Sequence, residues 1–260
     1  MLDKLMGKGF YIINDIDLSK DEFVSLSSQF GKLWEEEDHT LAKESFGGKV
    51  LNWSSTNPFV RASIPWHADN SASKDRKYPL RSFYAVSIPD PEDAKLYFLD
   101  ITKAFEMFSE ERKQHLRNCT TIVGDNPSFK QKAGKWTFEE PWSEPFVKVH
   151  PIMKTESINY GCLALDSDVF GLGPDEGYNG TESYNKAILH PDGSKWTDEE
   201  VSNLFKEMIN SVGVYEHKWQ ERQFLIMDNW THLHYKQTTH IQDKERLIWR
   251  RTIFQSWHTT

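Results

Sequence analysis

Two segments carry residues that could hold a metal ion. His67-Ala68-Asp69 sets an imidazole and a carboxylate two positions apart, so on an extended strand both project from one face. Alone the pair says little: with 10 His and 39 acidic residues in 260, chance predicts roughly one or two such pairs. The other pair, His190-Pro191-Asp192, runs into Gly193-Ser194 and reads as a surface turn. In the C-terminal part, Phe224 to Asn229 (FLIMDN) has a buried-strand pattern that stops at polar Asp228-Asn229. His234 follows six residues past Asp228, with His232 and His240 nearby. A His-x-Asp pair joined by one distant histidine is the facial triad that holds non-haem Fe(II) and leaves three positions open. Each of these histidines taken singly also fits an ordinary core or surface position.

A second constellation is cationic. In the strand-like RLIWRRTIFQ, alternation puts Arg246, Ile248, Arg250, Thr252 and Phe254 on one face and Leu247, Trp249, Arg251, Ile253 and Gln255 on the other. Both faces carry large apolar groups, so both are at least partly buried, and arginines among them need anionic partners. Arg246 and Arg250 share a face and could grip the carboxylates of one small anion through paired hydrogen bonds. Internal salt bridges would serve the same arginines equally well.

The elements that must position these residues are legible in part. Ser19-Lys20-Asp21-Glu22 is a capping box followed by Phe23, Val24, Leu26 and Phe30, which predicts a short helix closed at Gly31. Lys49 to Trp53 and Arg81 to Ile88 are β-like. Helix is expected from about Thr102 to Asn118, broken near Ser109. Phe146 to His150 and Ser157 to Tyr160 read as a strand pair, and Gly171 to Gly180 as a loop. Thr197-Asp198-Glu199-Glu200 opens a helix that Gly213 ends, and Gln223 to Asp228 and Arg246 to Gln255 are the two clearest strands. Strands scattered from end to end with few helices between them predict one domain, an antiparallel sandwich or barrel with helical insertions.

Composition agrees and excludes several classes. The 260-residue chain is 38% hydrophobic with 10 Trp, 9 Tyr and 16 Phe, enough to fill a sizeable core. A net charge of -8 with no basic block argues against nucleic-acid or anionic-membrane partners. Cys119 and Cys162 sit in no CxxC pair, so neither a disulfide framework nor a cysteine zinc site is expected from them. No stretch approaches 18 apolar residues, and the first residues are broken by Asp3, Lys4 and Lys8, so a soluble cytoplasmic protein is expected.

Taken together, WHAD (Trp66 to Asp69), MDNWTHLH (Met227 to His234) and RLIWR (Arg246 to Arg250) resemble the taurine catabolism dioxygenase family. Gly9 to Leu33 and EPFVKVHP (Glu144 to Pro151) are similar to that family as well. The resemblance implies a mainly β fold with helical insertions around a double-stranded β-helix, or jelly-roll, in a single domain spanning 1–260. It implies an oxygenase that uses Fe(II), 2-oxoglutarate as cosubstrate and O2 to hydroxylate, desaturate or cyclise a small molecule. Carried over residue by residue, it makes His67, Asp69 and His234 the iron ligands. Arg246 would hold the distal carboxylate of 2-oxoglutarate, and Arg250 would face its iron-side carboxylate or the substrate. His232, two residues before His234, competes for the ligand role.

The chain also departs from the family. Where the family commonly has Gly-Gly-Asp-Thr, this sequence has Pro91-Glu92-Asp93-Ala94-Lys95-Leu96, with no hydroxyl for the cosubstrate. Asp69 stands where related halogenases carry Ala or Gly, which speaks against halogenation. After Leu33 comes Trp34-Glu35-Glu36-Glu37-Asp38, which with Asp166 or Asp168 suggests a substrate bearing an ammonium group, such as an amino acid. A solvated acidic loop is the plainer account of that run. The expected partner is therefore a small molecule, with room left for a homo-oligomer; the alternative is a jelly-roll that binds a metal or ligand without catalysis.

Overall fold

The computed structural model describes residues 5, 8–34, 50–56, 58–61, 63–69, 80–93, 95–123, 142–159, 185–240 and 243–254. Among them, two antiparallel sheets form the frame. The larger runs β1 (Phe10–Ile13), β13 (Phe224–Asp228), β5 (Leu80–Ser87), β15 (Leu247–Phe254) and β2 (Lys32–Leu33), with β3 (Leu51–Ser54) also paired to β15. The smaller runs β12 (Tyr215–His217), β6 (Leu96–Asp100), β14 (His232–Lys236) and β4 (Ile64–His67). Neither sheet closes into a barrel; the arrangement is the jelly-roll expected.

Side-chain alternation sorts the core into layers. Leu51, Trp53, Ala85, Leu225, Met227 and Ile248 of the larger sheet meet Leu96 and Phe98 of the smaller one in the central cluster. On the other face of the larger sheet, Leu80, Tyr84, Phe224, Ile226, Trp249 and Ile253 pack with Phe23 of α1 (Lys20–Ser28). α2 is the short turn Pro58–Arg61. The outer face of the smaller sheet, with Tyr97, Leu99, Leu233 and Tyr235, is covered by α3 (Ile101–Met107) and α5 (Asp198–Val212). Beside α4 (Glu110–Arg117) lie a three-stranded sheet of β11 (Asn185–Leu189), β7 (Thr120–Val123) and β8 (Trp142–Pro145), and the pair β9 (Val147–Val149) and β10 (Glu156–Ile158).

Both capping boxes form. Ser19 and Glu22 start α1, Thr197 and Glu200 start α5, and Ser109 caps α4 after the break that its hydroxyl predicted. α5 stops at Gly213, whose φ of 73° is open to glycine at little cost. The strand expected from Lys49 begins at Leu51. The loop expected over 171–180 and the acidic run 35–38 lie outside the described residues, as do Asp166 and Asp168. Among the described residues, no helix is long and apolar enough to cross a membrane.

Candidate metal centre

β4 and β14 pair antiparallel with His67 directly opposite His234, and the two ring centroids lie 4.0 Å apart. This is the contact that cross-strand neighbours on one face must make. The strand is not what places Asp69. β4 ends at His67, so the alternation expected over 67–69 gives way to a turn, and Asp69 N–H donates to Asn229 Oδ1 at 3.0 Å. That bond swings the carboxylate between the rings: Oδ1 is 3.6 Å from His67 Nε2 and Oδ2 is 3.8 Å from His234 Nε2. The ligand atoms of His67, Asp69 and His234 all lie within 4.8 Å of one another.

The electrostatics prepare the cluster for a cation. Burial opposes ionisation of Asp69, but Arg81 and Arg250 outweigh it and hold the carboxyl well below the usual range. Arg81 Nε donates to Asp69 Oδ2 at 2.7 Å, while Arg250 Nη2 stands 3.8 Å from the same oxygen. Burial and the neighbouring His67 push the His234 imidazole well below its ordinary value, so its nitrogen lone pair is free at neutral pH. His234 Nδ1 is buried with no hydrogen-bond partner among the described residues. Two imidazoles and one ionised carboxylate are the donor set a divalent iron takes, and these residues fit that ion.

The competing histidines resolve by position. His232 shares the face of His234 but lies opposite Asp100, where its Nδ1 meets Thr231 Oγ1 at 3.0 Å and its ring packs edge-on to Phe10. His240 is drawn to Asp93, with Nδ1 2.7 Å from Oδ1. His190 sits in the turn expected for it.

The phase predicted for β15 is the one observed, with Arg246, Ile248 and Arg250 toward the space between the sheets. Arg250 lies over the Trp53 ring at 4.8 Å. Arg246 is 3% exposed; burial lowers its pKa to about 10, against the pull of Asp93 in the segment that departs from the family pattern. On the opposite face Arg251 Nη2 donates to Trp34 O at 2.7 Å.

Three supporting residues escaped sequence reasoning. Arg81 opens the predicted RSFYAVSI strand at the inward phase, a signal that was available. Asp228 and His150 form a buried pair, Nε2 to Oδ2 at 3.2 Å. His150 Nδ1 accepts from the N–H groups of Ile152 and Met153, so Nε2 carries the proton toward Asp228. Asp228 in turn accepts from Trp230 N–H and lies 3.3 Å from the Thr231 hydroxyl, fixing the turn between β13 and β14. Nothing in the spacing of His150 and Asp228 announces this contact.

The chain is thus a jelly-roll with a His-carboxylate-His cluster between its sheets. The family model for the taurine catabolism dioxygenase TauD, TfdA family matches residues 1–252, and the chain belongs to that family. It is thereby an Fe(II)- and 2-oxoglutarate-dependent dioxygenase in class. Its fold is similar to that of a taurine dioxygenase from Burkholderia xenovorans, with a TM-score of 0.67 at 18% identity over 97% of this chain and 79% of that one. It is also similar to AAD-2 in complex with Mn(II) and N-oxalylglycine, with a TM-score of 0.68 at 16% identity over 100% of this chain and 89% of that one. No curated protein sequence matches.

Proposed function

We propose that the protein oxidises a small organic substrate at an iron held by His67, Asp69 and His234, with 2-oxoglutarate as cosubstrate. The observation that carries this reading is the convergence of three ligand atoms within 4.8 Å, built by the register of β4 against β14. When bound, the iron and 2-oxo acid supply O2 activation coupled to decarboxylation; the chain supplies orientation, charge and a dry cavity. Arg250, 3.8 Å from Asp69 and over the Trp53 ring, would receive the carboxylate nearer the metal or face the substrate, and Arg246, four residues earlier on the same face, would receive the distal one. Arg81 keeps Asp69 ionised and turned so that Oδ1 stays on the His67 side.

The reading takes residues 1–260 as one domain, and the free thiol of Cys119 supports a reducing, cytoplasmic setting. An ammonium-bearing substrate, such as an amino acid, would be drawn by the carboxylates of the stretch 35–38 with Asp166 or Asp168.

The test is anaerobic titration of Fe(II) and then 2-oxoglutarate into the metal-free chain. A visible charge-transfer band is expected, weakened in Asp69→Ala and in Arg246→Ala. A metal-loaded wild type without the band favours the non-catalytic binding protein.

A further inference from the structure

A second group of metal-ligating side chains lies on the far side of the smaller sheet from His234. His115 on the last turn of α4, Cys119 one turn on, and His190 at the end of β11 present ligand atoms within 4.8 Å of one another. His115 Nε2 is 3.7 Å from Cys119 Sγ. A tetrahedral zinc with bonds of about 2.05 Å to nitrogen and 2.3 Å to sulfur would separate those atoms by about 3.6 Å. Glu200 stands behind: its Oε1 is 3.1 Å from His190 Nε2, while its Oε2 is fixed by the N–H and hydroxyl of Thr197 in the α5 capping box. The carboxylate therefore cannot swing away without uncapping α5.

We propose that His115, Cys119 and His190 form a structural zinc site, with a water as fourth ligand and Glu200 behind His190. The donor set of one thiolate and two imidazoles is borderline-soft and suits Zn(II) better than the harder iron of the other centre. Cys119 and Glu200 bring two negative charges to balance the ion, and Arg112, a neighbouring cation, is already paired with Glu207 at 3.2 Å. Burial, Arg112 and His190 keep the His115 imidazole neutral, while burial keeps the Cys119 thiol protonated until a metal arrives. Binding then exchanges that thiol proton, released to solvent, for the S–Zn bond. A hollow lined by Ser109, Arg112, His115 and Glu207 gives solvent a route to the cluster.

The ion would join three separate pieces of chain: the end of α4, the β11 turn and the start of α5. No sequence spacing shows this, because His190 lies 71 residues after Cys119 and 75 after His115, beyond β7, β8, β9 and β10; only the fold collects them. The plain alternative is a packing cluster, since both histidine rings stack on Trp196, at 6.2 and 5.4 Å.

Titrating Co(II) into the full metal-free chain separates the two. Two equivalents should bind, with a thiolate-to-cobalt charge-transfer band in the near ultraviolet. Cys119→Ser and His190→Gln should each lower the stoichiometry to one, Cys119→Ser abolishing the band and His190→Gln at least weakening it. Asp69→Ala should also lower it to one yet keep the band, so failure here is distinct from failure of the catalytic assignment. Saturating Zn(II) should raise the unfolding temperature of Asp69→Ala by on the order of 5 °C, and should not raise that of a chain also carrying His190→Gln. One equivalent and no thiolate band in the wild type would leave only the packing cluster.

Discussion

Arg81 donates its Nε proton to Asp69 Oδ2 at 2.7 Å from a strand in the opposite sheet. The guanidinium thus spans the two sheets at the point where the carboxylate meets His67 and His234. It both compensates a buried negative charge and fixes which oxygen is left for a metal. These two roles separate by substitution. Arg81→Leu should lower the stability of the metal-free protein by about 2–4 kcal/mol, measured by urea unfolding, because Asp69 loses its closest cation. Arg81→Lys retains the charge without the rigid fork, and should weaken Fe(II) affinity about tenfold in a competition titration. An unchanged affinity in the lysine variant would mean that orientation of Asp69 does not depend on Arg81.

The turn that carries Asn229 depends on a buried pair whose two members lie far apart in sequence. Asp228 accepts from His150 Nε2 and Trp230 N–H, and Asn229 then accepts from the Asp69 backbone. Asp228→Ala strands the His150 proton in the core and should cost about 3 kcal/mol. His150→Ala added to it should cost far less than the sum, with a coupling of about 1–3 kcal/mol in the double-mutant cycle. Additive losses would show that the two side chains act independently.

His217 gives the metal-free fold an acid sensitivity. Buried beside Trp219, with ring centroids 4.6 Å apart, its imidazole is pushed down to about 4 from an ordinary 6.5. A histidine depressed in the folded state binds its proton more readily when unfolded, so stability is intact above about pH 6.5 and falls as pH drops toward 4. The loss attributable to this group reaches about 3 kcal/mol at the acid end. Burial shifts His232 and His234 in the same direction, so they add to the slope. Denaturant unfolding at several pH values should therefore show His217→Gln flattening the decline without abolishing it. A variant as acid-sensitive as the wild type would mean that His217 is hydrated in the native state.

The physical reasons for what the sequence did and did not disclose are local. β15 was legible because large apolar residues alternate around its arginines, and its phase placed Arg246 and Arg250 correctly. α5 was legible from its capping box and terminal glycine. β14 was not: HLHYK has the polar composition of a loop, although all five residues are buried. The strand that holds His234 was therefore not predicted, and only the residue itself was singled out, by its place after Asp228-Asn229. The alternation argument for Asp69 was incomplete, since a turn bound to Asn229, and not strand alternation, orients it beside His67. Partners such as His150 and Asp228 lie 78 residues apart and meet only through the fold.

Gly9 is a backbone position packed against the start of the strand that carries His234. Its φ is +72°, and a Cβ there would sit 2.0 Å from His232 Nδ1 and 2.7 Å from Thr231 Oγ1. Its carbonyl also accepts from Asp228 N–H at 2.7 Å. Gly9→Ala must displace the start of β14 as well as strain the backbone, and should cost about 2–4 kcal/mol. Thermal unfolding measures that cost. Because the displaced strand carries His234, Fe(II) affinity should fall as well; a destabilised variant with wild-type affinity would show that the two ends of β14 move independently.

Asp93 sets an anion near Arg246, in the segment where the family commonly offers a threonine. The carboxylate is 7% exposed, accepts from His240 N–H at 3.1 Å, and lies near enough to Arg246 to raise its proton affinity. If Arg246 receives the distal carboxylate of 2-oxoglutarate, Asp93 competes with that carboxylate for the same guanidinium. Asp93→Asn removes the competing charge while keeping an oxygen for the His240 backbone, so 2-oxoglutarate should bind several-fold more tightly to the Fe(II)-loaded protein. The gain should vanish in an Arg246→Gln background, because it acts through that arginine. Weaker binding in Asp93→Asn would instead make Asp93 a brace that holds Arg246 in position, and would turn the departure from the family pattern into a structural replacement for the missing hydroxyl.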